Sequence, residues 1–297
     1  MIRIIEYQGQ PAAALLDRAA EIKRDVSEAV EAILEDVRLR GDEAVLDCCE
    51  KFDGARPDGL LVPPEELEAA FSQVEPEFLD TLRLAARNIE RFHRLQKRAG
   101  FVDTPGPGVV VGQRVLPLAS AGLYVPGGTA RYPSSVLMDA IPAKIAGVET
   151  IVMATPPGPD GKVPAAILAA ARLAGVRTVV RAGGAQAVAA LAFGTQSVPR
   201  VDKIVGPGNI YVATAKQLCY ARGLCAIDMI AGPSEIMIVS DANSDPVHLA
   251  ADLLSQAEHD RLSSAWLAVT DAALARRVAS EVERQLALLP RQEIARA

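Results

Sequence analysis

Four loops in the middle of the chain combine glycine or proline with one polar side chain. The polar residues and their loops are Tyr124 before residues 125–128, Gln186 in 182–186, Asn209 in 205–209 and Ser234 in 230–234. Glycine lets a ligand approach backbone N–H groups that a Cβ would shield, so such loops are candidates for holding a cofactor or an anion. A single loop of this kind is more often a tight turn, but four at strand ends favour a ligand-binding cleft.

Each of these polar residues also has an ordinary structural interpretation, as a turn, cap or packing residue, and their spacing matches no nucleotide-binding fingerprint. Gly206 and Gly208 begin like the dinucleotide pattern G-x-G-x-x-G, but Tyr211 occupies its sixth position. The sequence also lacks a Walker P-loop, an H-E-x-x-H motif and a G-x-S-x-G motif. Motif spacing alone is therefore only a weak indication of a nicotinamide cofactor.

A second group of residues has the types and spacing of metal ligands. Gln256 and His259 are three residues apart on a predicted helix over 246–259, so their side chains project from one face, and Asp252 lies on the same stripe. Histidine and carboxylate groups are common zinc ligands, whereas an amide oxygen is an unusual one. Two or three groups do not close a site, and a histidine near a helix end is commonly a surface residue. His93 and His248 have no partner at ligand spacing.

The hydrophobic pattern that must position these residues predicts an α/β protein. Apolar spacing and Pro or Gly boundary signals predict helices over 26–37, from 63–64 onwards and over 77–97. Beyond residue 150, apolar runs of three to six residues alternate with helical stretches of about ten or more, which is typical of βαβ units on a parallel sheet. The predicted strands are 150–154, 177–181, 203–205, 236–240 and 265–269; the predicted helices are 164–174, 185–193, 210–219, 246–259 and 272–288.

Composition indicates two domains and excludes several classes of partner. The chain has 297 residues, 31 basic and 37 acidic, and only 4% aromatic residues, which argues against a nucleic-acid or membrane binder. Residues 101–234 hold 17 of the 22 glycines but few charges. We therefore predict that 123–234 form a domain inserted into a discontinuous one, 1–122 plus 235–297. The start of the chain does not resemble a signal peptide, and the four cysteines have no metal-ligand spacing, so we expect a cytoplasmic protein.

Longer segments around these loops resemble the histidinol dehydrogenase family. They are GLYVPGG at 122–128, YPSSVLM at 132–138, AGGAQ at 182–186, VGPGNIYV at 205–212, DMIAGPSE at 228–235 and SQAEHD at 255–260. The resemblance extends from about residue 20 to the last residue, with the motifs in the expected order. It implies an α/β fold of two Rossmann-like parallel-sheet domains, the second inserted into the first, with a helical N-terminal region.

The resemblance also implies a function and assigns the site residues. It implies a homodimeric enzyme that oxidises L-histidinol to L-histidine in two NAD-linked steps through histidinal, with zinc holding the substrate. The implied assignments are NAD contacts at Tyr124, Gln186 and Asn209, substrate contacts at Ser234, Gln256 and His259, and zinc ligands at Gln256 and His259. Asp252 is not a ligand in the family pattern, and we follow that pattern.

The chain departs from the family in length, and this leaves alternatives open. The Glu-His base pair and two further zinc ligands of the family pattern fall beyond the equivalent of residue 297, so we assign no catalytic residue within this chain. We expect it to be a fragment that is inactive alone. One alternative is a relative that oxidises another polyol, such as a sulfonated propanediol. Another is a non-catalytic NAD-binding or dimerisation protein.

Overall fold

The computed structural model describes residues 2–9, 26–127, 132–230, 234–259 and 261–296. The chain divides into two compact units, Val26–Ala231 and a discontinuous one of Met1–Asp25 with Gly232–Ala297. The sequence analysis placed residues 26–122 in the discontinuous domain, whereas here they pack in the same unit as the central sheet. The domain boundaries of 122/123 and 234/235 remain a prediction.

The larger unit begins with short helices that follow the predicted boundary signals. These elements are α1 (Ser27–Arg40), α2 (Asp42–Cys48), a π-turn (Cys49–Asp53), α3 (Pro64–Ala69), a 3₁₀ turn (Ala70–Gln73) and α4 (Pro76–Arg94). Gly41 ends α1 with a φ of +61°, a conformation that glycine adopts without strain, and Pro64 begins α3. Both predicted boundaries are confirmed.

A β-hairpin follows that the sequence analysis did not predict. It consists of β1 (Phe101–Gly106) and β2 (Val109–Gln113), paired antiparallel. Apolar side chains on both strands are exposed, among them Val102 and Val110 at 76% and 70%. Among the described residues, no helix is both long and apolar enough to cross a membrane.

The centre of the larger unit is a five-stranded parallel sheet, which confirms the predicted α/β class. Its strands are β3 (Ser120–Tyr124), β4 (Thr150–Thr155), β5 (Thr178–Arg181), β6 (Lys203–Val205) and β7 (Ala226–Ile227). The strands lie in the order β5-β4-β3-β6-β7. The connecting helices are α5 (Pro133–Ala146), α6 (Ala165–Ala174), α7 (Gly184–Phe193) and α8 (Ile210–Ala221).

Two hydrophobic cores cover the two faces of this sheet. Neighbouring strand residues alternate between them: Val152 and Val180 pack with α7, α8 and α1, whereas Met153 and Val179 pack with α5, α6 and α4. A strand that is buried on both faces must be apolar throughout, which explains the continuous apolar runs in the sequence. The N-terminal helices lie outside the connecting helices, and this packing explains why they belong to the same unit as the sheet.

The smaller unit contains a parallel pair of strands and three helices. They are β8 (Glu235–Ser240), α9 (Pro246–Ala257), β9 (Ser264–Val269), α10 (Ala272–Leu286) and α11 (Gln292–Arg296). Apolar side chains of α9 and α10, including Leu254, Leu274 and Val278, form its core. The predicted elements are confirmed, but α9 ends at Ala257, so His259 lies in the turn after the helix.

Candidate functional site

The strand order of the central sheet places a crevice at the carboxyl ends of β3 and β6. From β3 the chain continues through α5 to β4 on one side, and from β6 it continues through α8 to β7 on the other. Ligands of open parallel sheets bind where the connections diverge in this way, outside the carboxyl ends of the strands. Tyr124 is the last residue of β3, and residues 206–209 follow β6. The fold therefore brings two of the four predicted loops to the expected position.

Close contacts join the loops that follow β3, β4 and β5. A Cβ added at Gly127 would lie 2.4 Å from Cγ of Pro156, and one added at Gly183 would lie 2.7 Å from Cβ of the same proline. The Tyr124 hydroxyl accepts a hydrogen bond from the backbone N–H of Gly184 at 3.0 Å. The glycines are thus needed for the approach of one loop to the next, in addition to any role in ligand binding.

Tyr124 is a buried, neutral phenol that bridges two of these loops. Its side chain is only 4% exposed. Burial raises the pKa of Tyr124 to about 12, an effect that the Gly184 N–H opposes and the charge of Asp53 reinforces. The hydroxyl therefore keeps its proton near neutral pH while its oxygen accepts the bond from Gly184.

Gln186 lies in the first turn of α7 and carries an unpaired polar group. The residue is 1% exposed, and its Nε2 has no hydrogen-bond partner among the described residues. A buried amide donor without a partner is unfavourable by roughly 1–3 kcal/mol. A polar acceptor beside this group, from a ligand or an ordered water, would remove that cost.

Asn209 has a structural role at the start of α8. Its Oδ1 accepts hydrogen bonds from the backbone N–H groups of Tyr211 at 3.1 Å and Val212 at 3.2 Å. This is the usual N-cap arrangement, which satisfies two of the free donors at a helix start. The side chain is exposed, and the cap uses only its carbonyl oxygen, so the amide group is available to a ligand.

The structure adds charged residues to this edge of the sheet that the sequence analysis missed. Asp228 and Lys216 both bond to the main chain of Gly206, and Asp139 lies beside the same glycine. Asp53 lies at the start of α7, where burial raises its pKa and a hydrogen bond from the Gly183 N–H partly opposes this shift. Lys216, a charged residue within an otherwise apolar helix, was the one signal that the sequence offered.

The predicted substrate and zinc residues come together within the smaller unit. Nε2 of Gln256 donates to the backbone oxygen of Ser234 at 3.2 Å, and the backbone N–H of His259 donates to the backbone oxygen of Gln256 at 3.2 Å. Ser234 and His259 are exposed, as is Asp252. The described part of the chain contains no group of three His, Cys, Asp or Glu residues that could hold a metal. The zinc assignment stays a prediction.

Comparison with known proteins agrees with the resemblance read from the motifs. The family model for histidinol dehydrogenase matches residues 16–297. The chain is 53% identical over 287 residues to a histidinol dehydrogenase of Geobacter sulfurreducens, covering 96% of this chain and 66% of that protein. It is 54% identical to one of Listeria monocytogenes, covering 90% of this chain and 62% of that protein.

A solved structure gives the same result. The crystal structure of histidinol dehydrogenase from Elizabethkingia anophelis matches with a TM-score of 0.85 and 40% identity, covering 92% of this chain and 63% of the other. The chain therefore spans just under two thirds of the length of the relatives that it matches. On the extent and identity of these matches, the chain belongs to the histidinol dehydrogenase family.

Proposed function

We propose that this chain is part of an enzyme that oxidises L-histidinol to L-histidine with NAD. The observation that carries the proposal is the match of more than half of the chain's residues to a histidinol dehydrogenase over 287 positions. Because the chain spans just under two thirds of such relatives, its activity, substrate and partners are proposals. A homodimer and a cytoplasmic location likewise remain predictions.

We infer that NAD binds at the carboxyl edge of the central sheet. Three features support this: the strand order, the glycine loops that meet around Pro156, and the unpaired Nε2 of Gln186. Asn209 is exposed and can contact the dinucleotide directly. Tyr124 and Gln186 are almost fully buried, so we assign them contact at the floor of the cleft, where they also fix the first turn of α7.

The smaller unit fits part of a zinc site. The hydrogen bond from Nε2 of Gln256 to Ser234 orients the amide and leaves its Oε1, the atom that binds metals, free of bonds to the described residues. His259 supplies an exposed imidazole. A closed zinc site has about four ligands, so these two residues would supply only part of one. Zinc bound there would hold the substrate's imidazole and amino group.

The chemistry divides into two oxidations, each of which removes a hydride and a proton. The alcohol of histidinol becomes the aldehyde, and the hydrated aldehyde becomes the carboxylate; NAD, when bound, takes up the hydride in each step. In this chain, Ser234, Gln256 and His259 orient the substrate, whereas Tyr124, Gln186 and Asn209 orient the cofactor. This orientation brings the reacting carbon and the cofactor into a reactive geometry. A base is required for both proton removals, and we assign none of the residues of this chain to that role.

Calorimetry with NAD and an assay of NADH formation from histidinol test the proposal, on protein expressed from the complete reading frame. We expect Gln186→Ala to weaken NAD binding by about tenfold or more, since it removes a buried polar contact. The matched control is Gln73→Ala, an exposed glutamine of the 3₁₀ turn, which should bind NAD as the unchanged protein does.

Each alternative function predicts a different outcome. NAD binding with turnover of another polyol, but not of histidinol, would replace the substrate. NAD binding without any turnover would support a non-catalytic protein. No heat of binding at saturating NAD would contradict the cofactor assignment.

A further inference from the structure

Gly206 is held from several sides by the groups around it. Its φ of +112° is a conformation that residues with a side chain rarely adopt. A Cβ at this position would lie 2.1 Å from the backbone oxygen of Tyr124 and 3.0 Å from Oδ2 of Asp139. The Cα of Gly206 therefore fits between the end of β3 and the Asp139 carboxyl group of α5.

A buried ion pair holds both polar groups of the Gly206 main chain. The N–H of Gly206 donates to Oδ2 of Asp228 at 2.9 Å, and the Nζ of Lys216 donates to the Gly206 oxygen at 3.0 Å. Lys216 and Asp228 also bond to each other. Lys216 is 1% exposed, and a buried ammonium without its partners would be strongly unfavourable.

Asp139 adds a second carboxyl group to a site that contains only one cation. Its Oδ2 is fully buried and has no hydrogen-bond partner among the described residues. The charged groups that face it are Asp228 and Lys216, and the bonds of Lys216 go to Asp228 and Gly206. An ionised Asp139 would therefore leave one uncompensated negative charge below the loop. A protonated Asp139 leaves the cluster neutral.

We propose that Asp139, Lys216 and Asp228 form a proton-dependent clamp that positions the 206–209 loop for the cofactor, with Asp139 active as the neutral acid. This inference rests on the proposed NAD site, because the loop leads into α8 through Asn209. Loss of the proton from Asp139 places a charge beside Gly206 and beside an anionic dinucleotide, so it weakens both the loop geometry and the binding of NAD.

The pKa values agree with this arrangement. Burial and then the charge of Asp228 raise the pKa of Asp139 to about 7, against the opposing effect of Lys216. Burial also raises the pKa of Asp228, but the bonds from Lys216, Gly206 and Met229 outweigh it, so that its pKa is lowered overall. The two carboxyl groups thus titrate in well-separated ranges, and Asp139 is the one that changes charge near neutral pH.

The first test follows the clamp without any ligand. Protein labelled with ¹³C at aspartate carboxyls and ¹⁵N at glycine is titrated from pH 4 to pH 9 by NMR, and Asp139→Asn identifies the Asp139 signal. We expect the Asp139 carboxyl and the Gly206 amide to shift together with a midpoint near pH 7. Titration of Asp139 near pH 4, or a Gly206 amide that does not respond to it, would overturn the proposal.

The second test measures NAD binding by calorimetry at pH 6 and pH 8. We expect the Kd of the unchanged protein to rise about tenfold between these values, as for the loss of one required proton at a midpoint near 7, and that of Asp139→Asn to stay constant. Asp80→Asn, an exposed aspartate on α4, is the matched control and should keep the pH dependence. Equal pH dependence in Asp139→Asn would contradict the clamp's effect on NAD. Failure of all variants to bind NAD would instead reject the proposed cofactor site, and the NMR titration would then decide the clamp.

Discussion

The phenol oxygen of Tyr124 accepts a hydrogen bond from the backbone N–H of Gly184 at 3.0 Å, which joins the end of the central strand β3 to the first residue of α7. Helix N-termini leave their first N–H groups unpaired, and anions commonly occupy them. In this protein, one of those donors at the start of α7 is already taken by a side chain of the protein. The phosphates of a dinucleotide are therefore more easily accommodated beside the loops after β3 and β6 than at this helix start.

Tyr124→Phe should destabilise the larger unit by about 1–2 kcal/mol, because the Gly184 N–H loses its acceptor in a buried place. Urea unfolding measures the change in the free energy of unfolding. Tyr220→Phe, at an exposed tyrosine of α8, is the control and should change stability by less than about 0.5 kcal/mol. Equal stability of the two variants would show that the Tyr124 bond contributes nothing.

Gly206→Ala should destabilise the protein by about 3 kcal/mol or more. The added Cβ would lie 2.1 Å from the Tyr124 backbone oxygen, in a conformation with positive φ. Gly108→Ala is the matched control, since Gly108 also has a positive φ of +76° but has nothing within 4 Å of its Cβ position. It should lose only about 1 kcal/mol. Similar thermal melting shifts for both variants would contradict the close contact at Gly206.

Asp139 should make the larger unit less stable as pH rises. Its pKa is raised from an ordinary value of 3.8 to about 7, so the folded state binds its proton more tightly than the unfolded state. The stabilising contribution of that proton is complete below pH 3.8, declines as pH rises to about 7, and is absent above it. Urea unfolding at several pH values should show this decline, at no more than about 1.4 kcal/mol per pH unit for one group.

The same measurements on Asp139→Asn provide the comparison. This variant cannot lose a proton, so the difference in unfolding free energy between it and the unchanged protein should vary with pH between 4 and 7 and become constant above 7. A difference that stays constant across the whole range would mean that Asp139 has an ordinary pKa.

Much of the fold could be predicted because its signals are local. The apolar run at Lys203–Val205, the Gly41 helix end and the Pro64 helix start each depend on a few neighbouring residues, and all are confirmed. The hairpin over 101–113 was missed because its apolar residues are exposed on both strands, so they show no alternation of buried and exposed positions.

The charged groups below Gly206 could not be predicted, because their proximity depends on the order of the strands. Asp139 lies on the helix after β3, whereas Asp228 follows β7, and only the pairing of β3 with β6 and of β6 with β7 brings both to one glycine. The sequence shows a lysine in an apolar helix but not what it contacts. Similarly, the burial of Gln186 follows from the packing of α7 and not from its position in a glycine loop.

His259→Ala should remove zinc from the protein expressed from the complete reading frame. The prediction rests on the position of His259 in the turn after α9, where its backbone is bonded to that of Gln256 and its side chain is exposed. Loss of one ligand should weaken zinc affinity by at least about 100-fold, since even residues behind the ligands contribute 10- to 100-fold. Metal analysis after dialysis and NADH formation from histidinol measure the two effects.

The control for this prediction is His248→Ala, at the other end of α9, where the histidine is also exposed. It should retain both zinc and activity. NAD binding should be unchanged in both variants, because the predicted cofactor residues lie in the other unit of the chain. Loss of NAD binding together with zinc in His259→Ala would indicate unfolding instead of ligand removal, and full zinc content with full activity would show that His259 is not a ligand.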